Sequence, residues 1–353
     1  MGVINLAHGE LIMLGAYTTY VVQLIFKLPA MQPYYNVYVL VAIPLAFVVS
    51  GVVGILLERT VIRRLYGSPL ETLLATWGVS LILQQFVRSV PMAYAAGLVL
   101  ALVSGFGLPL VLPAQWLIAK RARLIRFGSW FLSACFGVCL AGVLASQINR
   151  IARADARNVD VTAPQWMRGG LEWMDLTFPV PRLVIIVMTV LAVVGVSLFL
   201  NRSVWGMRIR AVTQNRSMSD CLGIPTDTVD VLTFGIGSGL AGVAGVAVSL
   251  LGSVGPNVGT SYIVGCFMVV VLGGVGNLLG TVLASFSIGL LTDLIGAGRL
   301  LTIWPEMPAP LEQLVTFFAT TSMAQVMIFA LIVVFLQFRP AGLFPQKGRM
   351  VEV

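Results

Sequence analysis

Charged residues are scarce in this chain of 353 residues. Asp, Glu, Lys and Arg make up 10% of it, whereas soluble domains carry about 25%. Hydrophobic residues make up 58%, and the mean hydropathy is +0.95. This balance excludes an ordinary soluble domain, and the alternating strand pattern of a membrane β-barrel is absent from the sequence. Because about 20 apolar residues suffice for one helical crossing, the long apolar runs predict an all-α polytopic membrane protein.

Residues that build active sites are also scarce. The chain has one histidine, His8, and four cysteines whose spacing matches no metal-ligand set. His8 and Glu10 form the only close acid–base pair, and the absence of a second cluster disfavours a membrane-embedded enzyme. The phosphate loop GxxxxGK[ST] is absent, so this chain does not bind ATP by that device. We therefore predict no catalytic residue, no metal and no cofactor of its own.

Apolar runs predict the membrane-spanning helices. The candidate spans cover residues 11–27, 38–57, 72–88, 93–112, 128–146, 181–201, 230–252, 263–276, 279–296 and 323–338. Several are shorter than a full crossing requires, so one or two of them are predicted to be re-entrant or broken helices. The expected architecture is a single transmembrane domain over residues 1–353 with about eight to ten spans.

Basic residues outnumber acidic ones and give a formal net charge of +8. Most of the Lys and Arg residues fall in the connections 58–67, 113–127 and 202–229 and in the tail after Phe338. Under the positive-inside rule, this distribution assigns these connections to the cytoplasm. The short basic loops fit orientation in a lipid bilayer better than a nucleic-acid surface, so no nucleic-acid partner is predicted.

The connection 202–229 is polar and yet patterned like a short helix. We predict one helix over residues 208–222, followed by Gly223 in the left-handed conformation and by Pro225, which forbids continuation. Its apolar side chains would form an incomplete face: Val212, Met218 and Leu222. A helix of this length is marginal in water. The pattern is therefore compatible with a helix docked in a groove of a partner protein and equally with a solvated linker.

Six segments resemble the permeases of the branched-chain amino acid family of ABC importers, and most of all their urea-transport branch. They are INLAHGELIMLGAY (4–17), ETLLATWGVSLILQQ (71–85), WGMRIRAVTQNRSMSDCLGIPTDTVDVLTFGIGSGLAGVAGVA (205–247), GSVGPNVGTSYIV (252–264), FMVVVLGGVGN (267–277) and FRPAGLF (338–344). All six lie outside residues 89–157. ETLLATWG together with RAVTQNR points to urea rather than to leucine.

The resemblance implies the transmembrane subunit of an ATP-driven importer for urea in the bacterial inner membrane. It implies cytoplasmic ATPase subunits that bind the ATP, a sister permease or a second copy of this chain, and an external, periplasmic substrate-binding protein. The connection 202–229 would be the coupling loop, whose helix rests in a groove of the ATPase. Two shape residues and three polar contacts are predicted there: Ala211 and Gly223, and Arg210, Gln214 and Asp220.

A path for urea requires hydrogen-bonding groups, because urea is neutral and planar. Polar residues at membrane depth are costly and therefore mark functional positions. The predicted path residues are Asn5, His8, Glu10, Thr76, Trp77, Asn257, Ser261 and Tyr262. For His8 and Glu10, stabilisation of a broken helix is an equally good interpretation.

The sequence departs from the family pattern in three places. Family members carry another apolar span before INLAHGE, so we expect that an upstream first helix is missing here. Residues 89–157 contain two apolar runs that are not typical of the family, which predicts an atypical two-helix insertion. At Gly265 to Phe267 the chain reads GCF, where the urea branch commonly has an acidic residue and a small one.

Two other transport functions remain open at this stage. Import of branched-chain amino acids would favour helix N-termini and an ionisable partner near the path, because the cargo is a zwitterion. An ion-coupled secondary transporter could use His8, Glu10 and Asp293 as a proton relay, although such relays usually contain more ionisable residues at membrane depth.

Overall fold

The computed structural model describes residues 5–29, 31–66, 68–89, 158–173, 176–299, 316–317, 319–339 and 342–344. The predicted spans 93–112 and 128–146, and with them most of the predicted insertion, lie outside these residues. The chain divides into two compact units, Met1–Ser261 and Tyr262–Val353.

Helices form nearly all of the regular structure in the described residues. The α-helices are α1 (His8–Phe26), α2 (Tyr38–Thr60), α3 (Pro69–Ser89), α4 (Val180–Arg202), α5 (Val204–Gln214), α6 (Arg216–Cys221), α7 (Thr226–Leu251), α8 (Val258–Gly273), α9 (Leu278–Gly296) and α10 (Thr321–Phe338). Helices α5 and α6 are short, and the other eight are longer. Short 3-10 helices cover Gln32–Val37, Ile62–Arg64 and Gln165–Met167. Strands β1 (Gly170–Trp173) and β2 (Leu176–Pro179) form an antiparallel hairpin, in which Gly170 pairs with Pro179.

Among the described residues, six helices are long and apolar enough to cross a membrane: α1, α2, α3, α4, α7 and α9. Helix α8 and the apolar part of α10 are shorter. Each predicted span that falls within the described ranges coincides with one of these eight helices. The predicted all-α polytopic fold is therefore confirmed.

Small residues allow α1, α2 and α7 to pack closely. A Cβ atom added to Gly15 of α1 would overlap the backbone of Gly242 in α7, and one added to Gly242 would overlap the Ala46 carbonyl of α2. Gly245 lies in the same way against the backbone of α1 at Ile12. Lipid supplies little hydrophobic drive between helices, so close backbone contact of this kind is what holds spans together.

Polar contacts show which connections between helices lie at the same end of the first unit. Arg63, after α2, pairs with Asp227 at the start of α7, so connections 61–68 and 203–225 lie at one end. At the opposite end, Gln23 Nε2 donates to the Thr162 carbonyl at 2.9 Å, and Tyr38 Oη donates to the same oxygen at 2.7 Å. This grouping agrees with the alternation that the basic residues predict.

In the second unit, a glycine turn separates two helices. Gly274 and Gly276 have φ angles of 96° and 94°, which L-residues with side chains rarely adopt, and α9 begins two residues later. This turn separates α8 from α9, as the separate predicted spans 263–276 and 279–296 require. The tail returns to the same place, because Leu343 N donates to the Leu272 carbonyl at 2.8 Å. The core of this unit is aliphatic and comprises Met268, Ile288, Ile295, Ala324, Ile328 and Ile332.

Candidate functional sites

The first candidate site is a buried polar cluster around Glu10, which lies in the first turn of α1 and is 1% exposed. Glu10 Oε1 accepts hydrogen bonds from Ser80 Oγ at 2.9 Å and from Gln84 Nε2 at 2.8 Å. Thr260 Oγ1, in the first turn of α8, lies 3.3 Å from the same oxygen. At a rise of about 1.5 Å per residue, Ser80 and Gln84 lie roughly 17 and 22 Å along α3 from its start. The cluster is therefore well inside the length of a membrane span.

The starts of two helices meet at this carboxyl group. A Cβ atom added to Gly259 would stand 2.6 Å from Glu10 Oε2 and 2.7 Å from the Gly9 carbonyl, so the first turn of α8 packs directly on that of α1. Helix N-termini carry partial positive charge, which favours a carboxyl group between them. Glu10 Oε2 is buried and has no hydrogen-bond partner among the described residues. Such an oxygen is costly to bury, and it is free to accept a hydrogen bond from a ligand.

Other predicted path residues line a separate crevice. Leu6 N donates to Thr76 Oγ1 at 3.3 Å, and Asn5 Oδ1 accepts from Ala7 N at 3.0 Å. The crevice is too narrow to hold a water molecule, and it is lined by Asn5, Ala7, Leu57, Val61, Ile62, Thr76 and Val79. His8 begins α1 immediately after this segment, and its amide donates to the Asn5 carbonyl at 3.3 Å. Asn5 and His8 therefore lie at the start of α1, and Thr76 of α3 contacts the segment just before it.

The remaining path residues are not gathered with Glu10. Trp77 is 54% exposed and Tyr262 is 44% exposed. Asn257 Oδ1 accepts from Arg88 Nη2 at 2.7 Å, close to the end of α3. Ser261 Oγ donates to the carbonyl of Asn257, the residue just before its own helix.

Ser80, Gln84 and Thr260 are functional candidates that the sequence analysis missed. Ser80 and Gln84 follow Thr76 at steps of four residues, so all three lie on one face of α3. That spacing was a usable signal. The contact with Thr260 had no comparable signal, because it joins positions that are 250 residues apart.

The second candidate site is the connection between α4 and α7, where the structure corrects the predicted helix over 208–222. Two helices occupy this stretch, α5 and α6, and they are separated at Asn215. Asn215 is extended, and its side chain accepts a hydrogen bond from Met218 N at 2.9 Å. Asn side chains compete for backbone groups in this way, and they favour the start of a helix over its interior. The prediction of a single helix was therefore wrong at this residue.

The apolar residues of this connection do not share one face, contrary to the prediction. Val212 is 5% exposed and packs with Ile209 and Val229. Met218 and Leu222 are 59% and 74% exposed. Helix α5 is therefore anchored to the start of α7, while α6 presents apolar side chains outwards.

Three of the five predicted coupling residues lie on α5, and the other two lie on α6 or just after it. Arg210 and Gln214 are exposed, and Ala211 is half-buried. Asp220 Oδ1 accepts from Thr226 Oγ1 at 2.7 Å, so this carboxyl group ties α6 to the start of α7. Gly223 has a φ of 77°, which confirms the predicted left-handed residue after the helix. We call residues 203–225, with α5 and α6, the docking segment.

Beneath the docking segment lies a charge cluster that the sequence analysis did not predict. Arg216 Nη1 of α6 is 2.7 Å from Asp230 Oδ2, and the Arg216 guanidinium carbon lies 4.6 Å from the centre of the Tyr66 ring. Asp230 and Glu58, at the facing ends of α7 and α2, are each 1% exposed. Burial raises the pKa of the Tyr66 hydroxyl, and the nearby carboxyl groups of Asp230 and Glu58 act in the same direction. Tyr66 is therefore neutral at physiological pH.

A polytopic helical chain with a polar docking segment at one end and a buried polar cluster between its spans has the build of a membrane transport subunit. The family confirms this class. Residues 1–336 match the family described as branched-chain amino acid transport system / permease component, and the chain belongs to that family. It is therefore a multi-pass membrane protein and an ABC importer permease, which is a transport component and not an enzyme.

Curated relatives from three bacteria illustrate the family. The chain is 24% identical to the high-affinity branched-chain amino acid transport system permease protein LivH of Salmonella typhimurium and to that of Escherichia coli K12, over 97% of this chain and 86% of each relative. It is 24% identical to BraD of Pseudomonas aeruginosa, which carries the same description, over 82% of this chain and 75% of the relative. No solved structure matches the chain significantly. The predicted family is confirmed, whereas the predicted urea branch finds no support in these relatives.

Proposed function

We propose that this chain is the subunit through which an ATP-driven importer of the inner membrane carries branched-chain amino acids. This cargo was the alternative in the sequence analysis, and it replaces urea as the leading hypothesis. The names of the relatives favour it. The single structural observation that supports it most is the buried carboxyl group of Glu10, with its unpartnered Oε2.

The chemistry of the Glu10 cluster suits a zwitterion better than a neutral amide. An α-ammonium group brings a positive charge and hydrogen-bond donors to a carboxyl group, and charge-assisted hydrogen bonds are about twice as strong as neutral ones. The α-carboxylate of the same molecule is favoured near a helix N-terminus, and α1 and α8 both begin here. Urea could form hydrogen bonds with Glu10, but because it is neutral it would form no ionic interaction there.

Access to Glu10 requires movement of the helices. Gly259 packs against Oε2, and this close approach leaves no space for a cargo between the first turns of α1 and α8. Separation of these two turns would expose the carboxyl group, and their return would expel the cargo. Alternating access by broken helices that meet at a binding site is the general form of such a cycle.

The partners follow from the family and from the surfaces of the chain. We propose that the docking segment contacts an ATPase subunit, to which the ATP binds, through exposed residues such as Arg210 of α5 and Leu222 just after α6. A sister permease or a second copy of this chain would cover apolar surface, of which α4 offers the most, since none of its residues is buried. An external binding protein would deliver the cargo at the opposite end.

The test is uptake into proteoliposomes that contain this chain with its partner permease, ATPases and binding protein. Radiolabelled leucine and radiolabelled urea are offered in parallel, with ATP on the ATPase side or without it. We expect ATP-dependent leucine uptake that excess unlabelled urea does not reduce. ATP-dependent urea uptake that leucine leaves unchanged would restore urea as the cargo. Leucine uptake that occurs without ATP and is abolished by a proton ionophore would indicate an ion-coupled transporter.

A further inference from the structure

We propose that Arg216 is the positioning residue that fastens the docking segment to spans α2 and α7, so that movement of the docked ATPases reaches both spans together. This inference rests on the proposed function, because it assumes an ATPase at the docking segment. It adds a specific connection that neither the family nor the relatives' names assign.

The contact of Arg216 with α7 is an ion pair with a buried partner. Arg216 Nη1 lies 2.7 Å from Asp230 Oδ2, and Arg216 Nη2 lies 3.9 Å from Asp227 Oδ1. The Asp230 side chain is 1% exposed, while that of Arg216 is 39% exposed. An ion pair with one buried carboxyl group is not an ordinary surface pair, because its separation would leave that group without a counter-charge in a poorly solvated place.

The contact of Arg216 with the α2 side is formed through Tyr66, which lies in the connection after α2. The guanidinium group stacks on the Tyr66 ring at 4.6 Å, an arrangement that attracts a cation to the ring face. Glu58 is buried in the last turns of α2, and the charges that act on it most strongly are those of Asp230 and Arg63. Its Oε2 has no hydrogen-bond partner in the described part of the chain. Arg216 therefore contacts Asp230 of α7 and, through the Tyr66 ring, the connection that follows α2.

Arg216 is well placed for this role because it points away from the exposed side of its own helix. In α6, Met218 and Leu222 just beyond it are 59% and 74% exposed, and they form the surface available to a partner. Helix α6 has only six residues, so it cannot hold its position by its own hydrogen bonds. The Asp220–Thr226 hydrogen bond also connects α6 to α7. Arg216 supplies an ionic link to α7 and a stacking contact with the connection after α2.

The proposal is tested with the reconstituted complex by comparing Arg216→Ala with Arg208→Ala. Arg208 is the matched control, because it also belongs to the docking segment and also stacks on an aromatic ring, that of Trp205 at 4.9 Å. Three quantities are measured for each variant: ATPase binding to the permease, ATP hydrolysis and ATP-dependent leucine uptake. For Arg216→Ala we expect ATPase binding within about twofold of wild type and at least about a tenfold loss of uptake per ATP hydrolysed. For Arg208→Ala we expect that ratio to stay close to wild type.

A double variant separates the ionic link from a simple folding defect. Arg216→Ala leaves Asp230 buried and unpaired, which by itself destabilises the protein. In Arg216→Met with Asp230→Asn, neither charge remains, so this protein is expected to be recovered in normal amounts and still to be uncoupled. Full restoration of the uptake-to-hydrolysis ratio by the double variant would overturn the proposal.

Two further outcomes also contradict it. If Arg216→Ala transports with an unchanged uptake-to-hydrolysis ratio, Arg216 has no role in coupling. If it loses ATPase binding in proportion to uptake, Arg216 is a docking contact and not a link to the spans. A wrong cargo can be distinguished from a wrong role for Arg216. If the cargo is wrong, wild-type protein shows no ATP-dependent leucine uptake. The stimulation of ATP hydrolysis by the permease, which does not depend on the substrate, would still report on Arg216.

Discussion

Replacement of Glu10 by Gln tests whether the buried carboxyl group recognises the cargo. Gln has the same shape, and its Oε1 can still accept the hydrogen bonds from Ser80 and Gln84 that Glu10 accepts at 2.9 and 2.8 Å. The polar cluster should therefore survive. What is lost is the charge that an α-ammonium group would meet. A hydrogen bond to a charged group is worth about 1.5–3 kcal/mol, which corresponds to a loss of roughly 10- to 150-fold in kcat/KM for leucine.

The assay is the initial rate of ATP-dependent leucine uptake over a range of leucine concentrations. Glu71→Gln is the matched control, because Glu71 is an exposed glutamate on α3 whose Oε2 accepts a hydrogen bond from Ser68 Oγ at 2.9 Å. We expect the control to retain wild-type kinetics. An unchanged kcat/KM in Glu10→Gln would refute ammonium recognition and leave Glu10 as a residue that stabilises the start of α1. A loss accompanied by a lower melting temperature in detergent would point to the same structural role.

Three other substitutions test the helix packing and the docking segment. Gly242→Ala places a methyl group against the Ala46 carbonyl and the Ser50 side chain of α2, so it should destabilise the protein by about 1–3 kcal/mol and lower its melting temperature in detergent. Gly195→Ala, with open space around it, should not. Asn215→Ala removes the side-chain cap of α6, a loss of about 0.5–2 kcal/mol, and should speed hydrogen exchange in α6 while α7 stays protected. Leu222→Asp puts a charge on an exposed apolar position and should weaken ATPase binding by about tenfold. Unchanged binding would remove Leu222 from the docking surface.

The fold was predictable because a membrane span needs a long apolar run and very little else. The predicted ends of α4, at 181 and 201, differ from the observed ends by a single residue, since proline, the hairpin and basic residues bound that run clearly. Boundaries that depend on packing were less accurate. Helix α7 begins at Thr226 and not at 230, because its polar first turn is held by Asp220 and by the charge cluster.

The sites were predictable in part, and the misses have a common physical cause. Glu10 was recognisable as an acid in an apolar run, and Gly223 as the residue after a helix. Arg216 and Asp230 were not recognisable, because a single arginine in a polar loop is usually solvated and a single aspartate near a helix start is usually a surface residue. Their significance comes from burial against α2, which is a long-range contact. Local pattern carries no information on such contacts.

Helix α7 connects the two candidate sites mechanically. Asp230, in its first turns, pairs with the docking segment, and Gly245 lies fifteen residues further on, roughly 22 Å along the helix. There, backbone contacts with α1 at Ile12 and Ala16 leave no space even for a methyl group. Helices that touch through their backbones cannot slide past one another without separating, because packed interfaces deform in steps and not continuously. Since Glu10 lies only two residues before Ile12, a displacement of α7 that begins at Arg216 must move the carboxyl group or break the glycine contact.

We therefore expect Gly245→Ala, if the protein remains folded, to reduce the uptake-to-hydrolysis ratio. We also expect the effect of Arg216→Ala to be smaller in that background than in the wild type. Full additivity of the two effects would show that the sites communicate by another route.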